Sequence, residues 1–236
     1  MQIESLKLLD DPFVRHQLDH AGVEAAWRHE DALVVQGGRP RHDATGPVFT
    51  AFGPASSLGP LMAEAAAETP PPYRVTVVDH AASRLPPTWR HREPHRWHWM
   101  LTRSLPSEPG LPVEEVDTAA EVAALLDLAQ PDAHARPGTP GIESWLGVRA
   151  RGALVAVGAL LRQADGTGHL RAVSVHPDHR GRGIGRGLSA ALTTRALAGR
   201  SGVATLGVYT DNAPALATYT GLGYTTVHTF VSGPVS

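Results

Sequence analysis

The sequence predicts an α/β protein, and three observations lead there. Segments rich in β-branched residues take turns with segments of helical apolar period along most of the chain. One stretch, His169-Leu-Arg-Ala-Val-Ser-Val-His-Pro-Asp-His-Arg-Gly-Arg-Gly-Ile-Gly-Arg-Gly187, reads as a strand running into four glycines at every second position. A helical run, 188–197, follows it. Finally, prolines and a glycine cluster in residues 104–112, and no apolar period continues through them. This linker places a boundary near Gly110, dividing residues 1–110 from residues 111–236.

Taken in order, residues 1–30 read as an amphipathic helix. Asp10 or Asp11 before Pro12 is its start signal, and Leu18, Val23, Ala26 and Trp27 form its stripe. Residues 31–36 and 47–52 read as strands, each stopped by glycine. Ser56 or Ser57 is placed to cap a helix that three prolines, Pro70 to Pro72, terminate. Residues 73–78 are a third strand. Residues 95–101 are a fourth, in a stretch dense in His, Arg and Trp. Stacking tryptophans beside basic residues can bind nucleic acid. With no basic domain around them, a strand with buried tryptophans, lining a pocket between the two parts, is the preferred reading.

The second part opens with a short strand, 113–116. A helix capped by Asp117 or Thr118 follows and runs to Gln130, with Val122, Leu125, Leu126 and Ala129 on one face. Residues 145–149 and 153–161 form a hairpin turning at Arg151-Gly152, and Asp165-Gly166 marks another turn. After the strand, glycine loop and helix come a strand over 203–209, a short helix begun by Asp211-Asn212 and ended by Gly221, and a last strand over 224–231. Strand, helix, strand occurs in both parts, at 47–78 and at 169–209, and only the second copy keeps the glycines.

Bulk properties narrow the function classes. Of 236 residues, 42% are hydrophobic, which suffices for one or two packed domains. A formal charge of −2 gives no global basic field for nucleic acid. The absence of cysteine excludes disulfides, thiolate metal sites and a cysteine nucleophile. No apolar run reaches the ~20 residues of a membrane span, and no signal peptide is read at Met1 to Ser5. A soluble cytoplasmic protein is expected.

Strand, glycine loop and helix present bare backbone N–H groups and a helix N-terminus to a phosphate. Three templates compete. The Walker pattern needs a lysine, and the stretch has none. Gly-x-Gly-x-x-Gly fails, since its last position falls on Arg186 or Leu188. Gln/Arg-x-x-Gly-x-Gly/Ala fits Arg180-Gly-Arg-Gly183-Ile-Gly185. His176-x-x-His179 straddles a proline turn and offers no third ligand, so no metal is expected.

The fitting stretch resembles the acetyl-CoA-binding motif of the GNAT superfamily of N-acetyltransferases. Val208-Tyr-Thr-Asp-Asn212-Ala-Pro-Ala-Leu-Ala-Thr-Tyr219-Thr-Gly-Leu-Gly-Tyr224 resembles the family's next motif. The two cover about residues 113–236. The resemblance implies a mixed, mostly antiparallel twisted sheet with flanking helices. The layout is similar to a two-half subgroup akin to the glycine N-acyltransferases. That likeness implies a degenerate GNAT-like half over 1–110 and an acetyl-CoA-binding catalytic half over 111–236.

The resemblance implies the following roles. Backbone N–H groups of Gly181, Arg182, Gly183, Ile184, Gly185 and Arg186 cradle the pyrophosphate of acetyl-CoA, the co-substrate. The side chains of Arg180, Arg182 and Arg186 add charge-assisted contacts. Val173, Ser174 and Val175 lie on a bulged strand splayed from its neighbour. Their backbone groups pair with pantetheine, and one N–H there polarises the thioester carbonyl. Asn212 contacts the cofactor, caps its helix, or does both. Tyr219 protonates the departing thiolate. The base is open: His169 stands where some relatives carry a glutamate, and His176 and Tyr209 are alternatives. Gly207 stands where other relatives carry one.

The expected activity is transfer of an acetyl group to a small-molecule or peptide amine by direct attack, without nucleic acid, membrane or metal, as a monomer or homodimer. The alternative is an acyl-CoA-binding sensor without turnover. Gly207 favours the sensor, and Tyr219 favours the enzyme.

Overall fold

A computed structural model of the chain describes residues 10–18, 22–37, 46–107 and 111–235. They form two compact units, one of residues up to Trp99 with the C-terminal stretch from Val227, the other of Met100–Thr226. Met1 to Ser5 and the boundary residue Gly110 lie outside the described residues.

In the first unit, helix α1 (Pro12–His16) precedes strands β1 (Val23–His29), β2 (Ala32–Gly37) and β3 (Val48–Phe52). Helix α2 (Ala55–Glu68) and strands β4 (Arg74–Val78) and β5 (His95–Thr102) follow, the last being the strand expected over 95–101. The C-terminal strand β11 (Thr225–Pro234) pairs antiparallel with β4. The helix expected over 1–30 is corrected: among the described residues of that span only Pro12–His16 is α-helical, with Asp11 accepting from the Phe13 N–H at 2.7 Å. Val23–His29 is a strand antiparallel to β2. The segment Val-Glu-Ala-Ala-Trp fits either period, and pairing with the buried β2 decides between them. There Trp27 packs on Phe49, with ring centroids 6.0 Å apart. Nor do Ser56 and Ser57 cap α2. Pro54 holds the N-cap position and both serines lie in the first turn.

The second unit holds strands β6 (Glu114–Glu115), β7 (Ile142–Ala150), β8 (Ala153–Arg162), β9 (Gly168–Val175) and β10 (Ala204–Tyr209), in the order β10-β9-β8-β7-β6. All neighbours are antiparallel except β9 and β10. Arg151 and Gly152 both take positive φ, 51° and 84°, which matches the right-handed twist of the hairpin they close. Helix α3 (Ala119–Ala129) covers one face, burying Val122, Leu125 and Leu126 against Trp145, Val157 and Ala159. Helix α4 (Ile184–Leu197) covers the other, burying Leu188, Leu192 and Ala196 against Leu160, Leu170 and Leu206. Arg162 pins the end of α4, donating to the carbonyls of Ala196 at 2.9 Å and Arg195 at 3.2 Å while pairing with Glu143. Its charge complements the helix C-terminus.

A parallel pair bridged by a helix recurs. β3 and β4 are parallel around α2, and β9 and β10 are parallel around α4. Each is the strand, helix, strand element seen in the sequence.

Gly168 sets how closely α4 approaches β9. A Cβ there would fall on the backbone and side chain of Ala196. Gly168→Ala is therefore expected to destabilise the protein by roughly 1–3 kcal/mol through overpacking, measured as a lower urea midpoint at unchanged m.

Candidate active site

The site is built on β9. Arg171 pairs with Ala159 and Ser174 with Val157, so Ala172 and Val173 together oppose Gly158. This is a bulge, and Ala172 takes the positive φ of 49° that it requires. The parallel pairing of β9 with β10 covers only Gly168, His169 and Leu170. Beyond Leu170 the two strands part, which leaves the backbone from Arg171 to Val175 without a β10 partner.

The glycine loop begins where β9 ends. Gly181 and Gly183 have φ of 73° and 75°, a region that L side chains avoid, with Arg182 between them. Alternating handedness of this kind turns successive N–H groups toward one side. Open space lies in front of both glycines, where a Cβ would meet nothing within 4 Å. Gly183 is the N-cap of α4 and has no side chain to cap it, so the first-turn N–H groups of Ile184 and Gly185 point out of the helix end. The other two glycines serve packing. A Cβ on Gly185 would crowd Val175, and one on Gly187 would collide with Leu111.

The three loop arginines have main-chain partners. Arg180 donates to the carbonyls of Val175 and Ala129, both at 3.2 Å, which ties the loop to the end of α3. Arg182 donates to Asp178 at 2.9 Å, and Arg186 to Gly221 at 3.2 Å, at the C-terminus of helix α5 (Ala213–Gly221). Arg180 and Arg182 stay exposed. Asn212 is the N-cap of α5, its Oδ1 accepting from the Ala215 N–H at 3.2 Å.

Tyr219 projects from α5 into the core below α4, against Tyr224, with ring centroids 5.8 Å apart. Burial pushes its phenol up to about 12, and a hydrogen bond with Ser189 only partly offsets this. It therefore stays protonated at neutral pH. Val173 and Val175 pack toward the same α4 face.

His169, Arg171 and Ser174 face the other side, toward α3. Ser174 donates to Gln130 Oε1 at 2.7 Å. His169 is buried, with Nδ1 2.8 Å from the hydroxyl of Thr205 on β10. Burial, with the charge of Arg171 added, holds its imidazole well below the usual histidine range. The buried ring is therefore neutral at neutral pH, with Nδ1 engaged by Thr205. His176 accepts from the Asp178 N–H within its own turn. Tyr209 is 42% exposed at the end of β10, and its hydroxyl lies 3.3 Å from Nε2 of His134. Sequence reasoning passed over Arg171, Gln130, His134 and Ser189. Only Arg171 carried a signal, its position two residues after His169 on the same strand face.

Residues 113–224 match the model of the Acetyltransferase (GNAT) family. No curated protein matches the chain. Among solved structures, a GCN5-related N-acetyltransferase from Kribbella flavida is 20% identical, with a TM-score of 0.60, covering 99% of this chain and 94% of that one. An acetyltransferase of the GNAT family from Colwellia psychrerythraea is 12% identical, with a TM-score of 0.58, covering 87% and 86%. A GCN5-related N-acetyltransferase from Sphaerobacter thermophilus is 17% identical, with a TM-score of 0.53, covering 85% and 75%.

The fold is that of the GNAT acetyltransferases. At these identities the solved structures speak for fold alone, and the family model matches the second part of the chain, residues 113–224. Within the GNAT fold, the bulged strand, its parting from the next strand and the glycine-rich helix start lie side by side in the second unit. Among the described residues no group of three His, Asp or Glu side chains is placed to hold a metal, and no helix is long and apolar enough to cross a membrane.

The buried His169 makes stability depend on pH. The folded imidazole stays neutral, while the unfolded one takes up a proton below about 6.5. The unfolded chain then binds more protons, so stability is complete above about pH 6.5 and falls below it, by at most ~1.4 kcal/mol per unit. His91, also held down by burial, acts in the same window. In His169→Gln the difference in urea midpoint between pH 7.5 and pH 5 is expected to shrink but not vanish.

Proposed function

We propose that the protein is an acetyl-CoA-dependent N-acetyltransferase that moves an acetyl group to a primary amine within a ternary complex. The observation that carries this reading is the coincidence at β9. Its bulge and its parting from β10 free backbone groups immediately before a loop of left-handed glycines and the bare start of α4. An extended amide chain ending in a pyrophosphate has that sequence of needs.

In this reading the N–H groups from Gly181 to Arg186, with the positive end of α4, hold the pyrophosphate. Exposed Arg180 and Arg182 add charge. The backbone of Val173, Ser174 and Val175 pairs with the pantetheine amides and polarises the thioester carbonyl. Asn212 contributes by fixing the start of α5. The unprotonated amine attacks the carbonyl carbon, the new N–C bond forms and the C–S bond breaks. Tyr219 supplies a proton to the departing thiolate from the α4 side, a task that suits a phenol held near 12, and the proton that the acylated nitrogen sheds returns to the phenolate through water. The proton lost by the ammonium leaves through water, by way of exposed Tyr209 and its partner His134. His169, buried and neutral, is the alternative acceptor of that proton.

The acyl donor being acetyl-CoA, a cytoplasmic location, and the kinship with the two-half glycine N-acyltransferases, with halves at 1–110 and 111–236, belong to this proposal. The recurring parallel pair around a helix supports the tandem arrangement. A second reading, acyl-CoA binding without turnover, draws support from Gly207 and from the burial of His169.

Thiol release from acetyl-CoA with a panel of amines separates the two. Amine-dependent release supports the enzyme. Heat protection by acetyl-CoA with no release from any amine supports the sensor. Tyr219→Phe is expected to lower kcat by about 10²–10⁴-fold while leaving the Kd for acetyl-CoA within about twofold. Gly183→Val forces a β-branched residue into the left-handed region and covers the loop. It is expected to weaken acetyl-CoA binding by roughly tenfold or more, read by calorimetry.

A further inference from the structure

Arg171 is the residue that neither the fold nor the proposed chemistry explains. It is the last residue before the bulge, on the strand that carries the site. Its Nε is buried and has no hydrogen-bond partner, and no ion pair among the described residues includes it. Burial alone pulls its guanidinium down from the ordinary arginine range, and no neighbouring carboxylate opposes that pull. The side chain is half-buried, with Nε shut off from solvent, and a charge placed so without a protein partner carries a cost that an arriving anion offsets.

Its surroundings say where such an anion would sit. Alternation puts Arg171 on the face of His169, whose Nδ1 meets Thr205. Thr205, Gly207 and Tyr209 share that face of β10. The register that pairs Leu170 with Leu206 brings Gly207 level with Arg171, at the point where the strands part. Gly207 is exposed and carries no side chain, so space stands open beside the guanidinium. Among the described residues, the polar groups that hydrogen bonds place on this face are hydroxyls, an amide and two histidines: Thr205, Ser174 with Gln130, Tyr209 with His134, and His169. None of them is an anion. The glycine loop, Val173, Val175 and Tyr219 lie toward α4, so Arg171 faces the side opposite the one assigned to the cofactor.

We infer that Arg171 is a specificity-determining residue, and that the acceptor is an amine bearing a carboxylate, which the Arg171 guanidinium binds in the gap left by Gly207. This rests on the N-acyltransferase reading above. The planar guanidinium suits a carboxylate in two-point contact, and that contact fixes the distance from the carboxylate to the attacking nitrogen.

The test uses the full chain saturated with CoA, and acids paired with their amides: L-alanine, β-alanine and 4-aminobutanoate, each against the corresponding amide. At least one acid is expected to raise the melting temperature while its amide does not. In turnover with acetyl-CoA that acid is expected to exceed its amide by about 30-fold or more in kcat/KM. Arg171→Gln should abolish both preferences, leave the KM for acetyl-CoA within about twofold, and keep or raise the melting temperature of the unliganded protein. Arg171→Lys should restore part of the preference.

Equal binding of acids and amides by the wild type overturns the inference. So does an Arg171→Gln variant that loses both alike with a lowered melting temperature, since that marks a structural arginine. A preference for succinyl-CoA over acetyl-CoA that Arg171→Gln removes, with acids and amides equal, also overturns it and assigns the carboxylate to the acyl group. Failure of the activity itself is read separately. If no amine releases thiol, the N-acyltransferase reading falls, while the melting-temperature difference between acids and amides still decides whether Arg171 holds a carboxylate.

Discussion

The second unit depends on one break in hydrogen bonding. Strands β9 and β10 pair over three residues and then separate, and the bulge at Ala172–Val173 bends β9 away. A sheet interior does not normally surrender backbone pairing, because each freed N–H and C=O must find another partner. Here the freed groups stand where the two strands part, and what the chain places around that point is chemically coherent. A loop of left-handed glycines follows on one side, and a half-buried arginine and a small polar cluster stand on the other.

The two faces of the sheet divide the work. Toward α4 lie the glycine loop, the helix start, Val173, Val175 and the protonated phenol of Tyr219. Toward α3 lie Arg171, Ser174 with Gln130, and His169 with Thr205. The bulge makes this division possible. Without the extra residue, Ser174 would fall on the α4 face, because a strand alternates strictly and a one-residue change flips every later side chain. The arginines of the loop fit the same logic. Those at 180 and 186 cap the ends of α3 and α5, where a positive charge meets exposed carbonyls, so they hold the elements around the cleft in place.

Much of this was legible in the sequence, where local chemistry leaves few choices. Gly181 and Gly183 occupy conformations that other residues resist. Asn212 caps α5 because its short side chain reaches back to the third residue of the helix. Arg151-Gly152 closes a hairpin because both residues accept positive φ. Where the local signal was neutral, the reading failed. Residues 23–29 fit a helix or a strand, and the neighbouring β2 made them a strand. Ser56 and Ser57 are good caps by type, yet the chain enters α2 from Pro54 and leaves them in its first turn.

The sequence by itself determined the strand, glycine loop and helix of the second unit and the short helix that carries Tyr219, since each rests on residues adjacent in the chain. Only the tertiary structure decided what His169 and Arg171 are. Both stand on the same strand, two residues apart, and nothing in their spacing tells them apart from solvent-facing groups. Packing of β8, β10 and α3 around them buries the histidine and half-buries the arginine. It gives the histidine a hydroxyl to bond, and it leaves the Nε of the arginine with no partner among the described residues. Burial is a property of the neighbours, and the neighbours come from distant parts of the chain.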